Sequence, residues 1–284
     1  MAITHSLRPL AVVTGASSGI GYHLARCAVE EGFDLVVAAD TPLDEAVMDF
    51  KSLGAQDVVC VQADLATREG VDQLCHALDG REVDVLLANA GHGAAGPFLE
   101  LDIADIQHVI NTNVTGTIYL IQQVARGMVA RGQGRILITG SIAGFQPGSF
   151  HAVYNGSKAF IDSFGEALRN ELKDTGVSVS ILMPGATDTE FFARAHLQGT
   201  YMGDDLKKDD PAKVAKAGWD AMMDGEADVV YSVKNKLQVI ASKVMPAQAV
   251  AAMHRKIAEP GSSKEAKKEA QKERAVAKKD GADK

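Results

Sequence analysis

Short, almost uninterrupted apolar runs recur along this chain at residues 10–13, 35–39, 58–62, 83–88, 136–139 and 177–183, each separated from the next by enough residues to form a helix. Such runs read as strands buried on both faces. Strands separated by helix-length segments cannot pair as tight hairpins, so they run parallel, with the intervening helices covering both faces of the sheet. The pattern predicts an α/β fold built on a doubly wound, mostly parallel sheet, with residues 229–231 adding a seventh, edge strand.

Helix punctuation divides the chain in the same way. Thr41 and Pro42 offer an N-cap and a first-turn proline, with Asp44 and Glu45 in the first turn and Gly54 as the stop. Residues 104–131 read as one long helix or two abutting ones closed by Gly132 and Gly134, and residues 154–173 as another closed by Gly176. Residues 186–210 depart from the pattern, mixing Phe191, Phe192, Tyr201 and Met202 with glycines and charges, as a covering loop or short helix would. One domain over 1–258, including a helical extension, is followed by a charged tail over 259–284 that is expected to be disordered or a solvated helix.

With 284 residues, 46% hydrophobic and 23% charged, the composition is that of a soluble globular protein. A formal net charge of −8 argues against nucleic acid as a partner. No apolar run approaches the roughly 18 residues of a membrane span, so no stable membrane insertion is expected. Nine residues before the first strand leave no room for a secretory signal, which makes the cytoplasm the expected location. Cys27, Cys60 and Cys75 lack metal-ligand spacing and read as reduced core thiols; no metal site is expected.

The sequence Thr14-Gly-Ala-Ser-Ser-Gly-Ile-Gly21 falls where the first strand turns into the first helix. A glycine turn there brings backbone N–H groups against a pyrophosphate. Gly15 permits the tight turn, Gly19 the approach of ligand and Gly21 the close packing of helix on strand, with Ser17, Ser18 and Ile20 between them. Asp40 ends the second strand nineteen residues after Gly21, near the spacing at which a carboxylate accepts from adenosine ribose hydroxyls. A carboxylate there repels a 2′-phosphate, and no Lys or Arg adjoins it in sequence, so NAD(H) is expected in preference to NADP(H). The competing role for Asp40 is to assist the helix start at Thr41. Asp64-Leu65 and Asn89-Ala90-Gly91 end the third and fourth strands, on the carboxyl edge where ligands sit in open α/β sheets.

Tyr154 and Lys158 lie four residues apart in a helical pattern and project from one face. An ammonium beside a phenol favours the phenolate and moves it toward the pH at which protons pass to or from an alcohol oxygen, and an oxidised nicotinamide would add a second positive charge. Ser141 follows the fifth strand and can donate to a developing alkoxide. Asn113 lies inside the long helical segment, where asparagine is disfavoured, which implies a local distortion or a site.

In this order the glycine turn, Asn89-Ala-Gly91, Asn113, Ser141, Tyr154-x-x-x-Lys158 and Pro184-Gly185 resemble the short-chain dehydrogenase/reductase superfamily, in its compact single-domain branch, over about residues 10–232. The resemblance implies a Rossmann-type fold and an NAD(H)-dependent oxidoreductase interconverting a secondary alcohol and a ketone or aldehyde. It implies Tyr154 as general acid/base and Lys158 as holding the nicotinamide ribose and lowering the tyrosine pKa. It further implies Ser141 polarising the substrate oxygen, Asn113 supporting a proton-conducting water, and Pro184, Gly185 and Thr187 or Thr189 at the carboxamide end. A homodimer or homotetramer paired through residues 105–131 and 154–173 is implied as well. The substrate pocket is expected at 92–98, 142–151 and 186–202, where His92 and His151 either contact substrate or are merely solvated. Two other readings stay open: a dinucleotide-binding regulator whose Lys-rich tail engages a partner, and a lyase or epimerase using bound NAD as a transient hydride store.

Overall fold

The structure, a computed structural model, describes residues 8–280, with side chains to residue 272. Seven parallel strands form one sheet: β1 (Leu10–Thr14), β2 (Asp34–Ala39), β3 (Val58–Gln62), β4 (Val85–Ala88), β5 (Gly134–Thr139), β6 (Val177–Met183) and β7 (Asp228–Val230). Their order is β3-β2-β1-β4-β5-β6-β7. The chain winds outward from β1 in one direction and, after crossing back, from β4 in the other. A crevice therefore opens between the carboxyl ends of β1 and β4, where neighbouring connections leave on opposite faces.

Burial explains the strand composition. Every residue of β1, β2 and β4 is buried, as a strand covered on both faces requires. β3, at the edge, is only partly covered, and Cys60 there is exposed while Cys75 is half-buried; only Cys27 is a core thiol. On one face α1 (Gly19–Glu30), α2 (Asp44–Ser52) and α8 (Pro211–Met223) bury Leu24, Phe50 and Trp219, the last edge-on to Phe33. On the other, α3 (Arg68–His76), α5 (Thr117–Arg131) and α6 (Ala152–Leu172) bury Leu74, Leu120, Met128 and Ile161.

One helix boundary differs from expectation, and one open alternative is resolved. α2 starts at Asp44 with Leu43 in the cap position. Thr41 caps nothing there, because its hydroxyl instead donates to Ser17 Oγ at 2.8 Å, tying the end of β2 to the glycine turn. The long segment containing Asn113 is split: α4 (Ile103–Ile110) and α5 flank a π-helical turn over Asn111–Gly116, the local distortion that an interior asparagine implied.

Beyond β7 lie α9 (Val233–Val244), α10 (Ala247–Ala258) and α11 (Lys264–Asp280). Of the two forms expected for 259–284, disorder or a solvated helix, the structure has helix over Lys264–Asp280; residues 281–284 lie outside the described residues. The reason is local. Ser263 Oγ accepts from Ala266 N at 3.2 Å as an N-cap, and strong helix formers follow. The tail is also anchored: Ser263 N donates to Gly199 O at 3.1 Å and Lys264 N to Asp205 Oδ2 at 2.7 Å. Among the described residues no helix is long and apolar enough to cross a membrane, and no three His, Cys, Asp or Glu are grouped to hold a metal ion.

Candidate active site

One cleft runs along the carboxyl edge of the sheet, and the residues singled out in the sequence gather in it. Gly15, Ser17, Ser18, Gly19, Ile20, Asp40, Asp64, Leu65, Asn89, Ala90 and Gly91 line one part. Ser141, Tyr154, Lys158, Pro184, Gly185, Thr187 and Thr189 line the rest. Gly21 and Asn113 stand behind the wall.

The glycine turn has the shape of a cradle. Gly15 and Gly19 take φ of 66° and 60°, the left-handed region that glycine adopts without strain. A methyl group on Gly21 would overlap Gly15 O, so this position lets α1 pack directly under the turn. α1 begins at Gly19, presenting its N-terminal N–H groups to the cleft. Asn89 binds three strand ends together: its Nδ2 donates to Thr14 O at 3.1 Å, its Oδ1 accepts from Thr139 Oγ1 at 3.1 Å, and its backbone N donates to Thr14 Oγ1 at 2.9 Å. Asp64 Oδ1 accepts from Ala66 N at 2.9 Å, closing a turn before α3. A dinucleotide fits the groups presented here: backbone N–H donors at the turn and a carboxylate acceptor at the end of β2, with the Thr189 side chain lying over Gly19.

Asp40 is not alone. His92 Nε2 lies 3.0 Å from its Oδ2, and Arg194 Nη1, from the short helix α7 (Phe191–Arg194), lies 3.7 Å from its Oδ1. The His92 hydrogen bond and charge, then the Arg194 charge, hold the Asp40 carboxyl below its usual range despite partial burial. No base adjoins Asp40 in sequence, but the fold delivers one from residue 194, which corrects the sequence argument against a nearby cation.

The opposite end of the cleft is dry. Tyr154 is enclosed by the ring of His151, stacked at 4.5 Å between centroids, and by Phe191 at 5.0 Å. Burial pushes its phenol up to about 12; a Ser141 hydroxyl contact opposes this and the Asp162 charge adds to it. Lys158, 4% exposed, donates from Nζ to Thr139 O at 2.8 Å, with its nitrogen 5.9 Å from the Tyr154 ring centroid. Ser141 donates to Pro184 O at 3.4 Å and accepts from Ala143 N at 3.1 Å. Asn113 Nδ2 donates to His92 O and Ser157 Oγ, both at 2.9 Å, and its Oδ1 accepts from His92 N at 2.8 Å. It fixes the backbone after Gly91 and faces protein rather than cleft.

Several site residues escape the sequence motifs. Asp162, 6% exposed, accepts at Oδ1 from Ser141 N at 3.2 Å, and its carboxylate occupies the space over Gly140 and Gly144. Burial lowers the Lys158 ammonium and raises the Asp162 carboxyl, while each partner's charge opposes the other's shift. The signal was in the sequence: Tyr154, Lys158 and Asp162 fall at i, i+4 and i+8 on one helix face. His151 is buried, its pKa pulled down to about 3, chiefly by burial and then by His254. His254 and Ile257 from α10 and Asn235 from α9 also line the cleft, whereas Phe98 is 57% exposed.

A doubly wound sheet with this cleft at its switch point defines a dinucleotide-type α/β protein. The chain belongs to the short-chain dehydrogenase family, whose sequence profile, described as short chain dehydrogenase, matches residues 9–198. It is 30% identical over 239 residues to an uncharacterized oxidoreductase of Myxococcus xanthus (strain DK1622), covering 83% of this chain and 92% of that one. It is 35% identical over 188 residues to retinol dehydrogenase 8 of Bos taurus, covering 63% of this chain and 59% of that protein's length. A solved short-chain dehydrogenase from Sphingobium yanoikuyae, in complex with NADPH, superposes with a TM-score of 0.74 at 27% identity, covering 83% of this chain and 93% of that one.

Proposed function

We propose that this protein is an NAD(H)-dependent oxidoreductase that interconverts a secondary alcohol and a ketone or aldehyde, with Tyr154 as its general acid/base. The observation that carries this reading is the convergence of Ser141, Tyr154 and Lys158 in the same cleft as the glycine turn and Asp40. A nicotinamide held in this cleft would supply or accept the hydride at the substrate carbon. In reduction the Tyr154 hydroxyl gives its proton to the oxygen that becomes the alcohol; in oxidation the phenolate takes that proton back. Lys158, held on Thr139 O with its nitrogen 5.9 Å from the Tyr154 ring centroid, is the positive charge that would have to work against the burial that raises this phenol once substrate and cofactor are bound. Ser141 turns its hydroxyl from Pro184 O to the substrate oxygen, and Asp162 fixes the backbone that carries it. Asn113 acts as a positioning residue for the His92 backbone. Phe191, Phe192, Met202 and Ile257 give the substrate end an apolar wall, which suits an uncharged, largely hydrocarbon substrate. The same character is carried by the name of the retinol dehydrogenase relative.

Asp40 supports NAD(H), because its carboxylate can accept from both ribose hydroxyls and repels a phosphate. Arg194 and His92 blunt that repulsion, so the preference is of the order of tenfold, about 1.4 kcal/mol. The test is calorimetry with NADH and NADPH titrated separately into the wild type and Asp40→Ala. A preference for NADH that collapses in the variant supports the reading; a preference for NADPH overturns the cofactor assignment, and binding of neither overturns the enzyme assignment. Pairing of subunits through α4, α5 and α6 is supported by the exposed Ile103, Ile110 and Phe160 and is tested by light scattering, where a strictly monomeric mass refutes it.

A further inference from the structure

α9 has an inverted character. Its buried contacts with the domain are made by Asn235 and Val239, while Val233, Leu237, Ile240 and Val244 are 73, 61, 59 and 78% exposed. Their spacings of four, three and four residues align them in one narrow stripe on the solvent side. Lys236 and Lys243 flank the stripe on one side and Lys234 on the other. Charge is segregated as well. Residues 233–258 hold five Lys and Arg and no Asp or Glu, in a chain whose net charge is −8.

We propose that α9 is a membrane-surface helix that seats this protein on an anionic bilayer, the four aliphatic side chains entering the interface and Lys234 and Lys236 lying among the headgroups, while Lys243 rests over the Phe145 ring. Apolar side chains opposite the buried face, bordered by lysines whose stems can lie along apolar surface, are the features of a helix that rests in the plane of a membrane. Charge complementarity favours an anionic lipid surface over a second copy of this chain. A two-fold contact would bring the same lysines of both copies together, and four side chains fall far short of the ~20–30 residues a side of a specific interface. Lys234, Asn235 and Gln238 of this helix also line the cleft, so the stripe lies beside its mouth, and an apolar substrate could pass from bilayer to cleft without crossing bulk water.

The experiment is flotation of the full-length protein with vesicles of phosphatidylcholine alone and of phosphatidylcholine mixed with phosphatidylserine. The variants are Leu237→Asp/Ile240→Asp and Lys236→Glu, and NADH calorimetry and light scattering check that each variant keeps the wild-type fold and mass. The wild type is expected to float with the anionic vesicles, less with the neutral ones, and to lose binding as salt rises. The double variant is expected to partition at least about tenfold more weakly, and Lys236→Glu at least about fivefold more weakly. A wild type that floats with neither vesicle overturns the proposal. So does one that floats as well after Leu237→Asp/Ile240→Asp, or one whose assembly mass falls in that variant, which would make the stripe a contact between copies.

Discussion

The two ends of the cleft use charge in opposite ways. At the Asp40 end a carboxylate, an imidazole and a guanidinium meet where each side chain keeps between a fifth and just over a third of its exposure. Pairs of this kind are each worth under about 1 kcal/mol, so partners exchange easily and an incoming ribose can replace them. At the Tyr154 end, ammonium, carboxyl and imidazole are buried and the phenol is half-buried against them, and burial is the first cause of every shift in their titration. In the proposed function, recognition falls where groups are exposed and replaceable, and proton transfer where each group is held by a backbone atom or a stacked ring.

That contrast can be broken most severely at its dry end. Tyr154→Phe removes the proton donor while keeping the ring that packs on His151 and Phe191, and turnover should fall about 10²–10⁴-fold with NADH affinity unchanged by calorimetry. His151 gives the next largest effect. It titrates near 3 in the fold against 6.5 for a free imidazole, so between those values the unfolded chain binds the extra proton. Stability therefore declines as pH falls through that window, by up to about 1.4 kcal/mol per pH unit. His151→Phe should make the slope shallower by that amount in denaturant melts at stepped pH; an unchanged slope would disprove the assignment.

At the wet end, Asp40→Ala should cost about 1.4 kcal/mol of NADH over NADPH preference, read as a tenfold change in the ratio of dissociation constants. Arg194→Ala is the mildest change. By freeing Asp40 of one competitor it should tighten NADH less than about fivefold, with no effect on the acid slope of stability. A loss of affinity instead would mean that Arg194 serves the ligand rather than Asp40.

The sheet, its crossovers and the glycine turn were legible because periodicity and backbone geometry are local properties of the sequence. All seven strands lie at or within two residues of their apolar runs. Tyr154, Lys158 and Ser141 were legible because helix spacing and the end of a strand place them. What stayed hidden depends on chain segments far apart. Arg194 reaches Asp40 across 154 positions, and His254 meets the Ser149 backbone only after α10 folds back, its Nδ1 lying 2.9 Å from Ser149 O. The buried carboxyl of Asp162 was missed for another reason: an acidic residue on a helix ordinarily signals solvent, and only the packing of α6 against the turn after β5 makes it interior.

The carboxyl of Asp162 over Gly140 and Gly144 sets limits for anyone reshaping this protein's substrate range. Any side chain at either glycine would have to displace that carboxyl, and with it the Ser141 backbone, so Gly140 at the cleft edge and Gly144 behind it are closed to redesign. Phe191, Met202 and Ile257 have no contact with that carboxyl in the structure. Of the three, Met202 and Ile257 form the adjustable part of the wall, where a library could vary volume, whereas Phe191 packs on the Tyr154 ring and is tied to it.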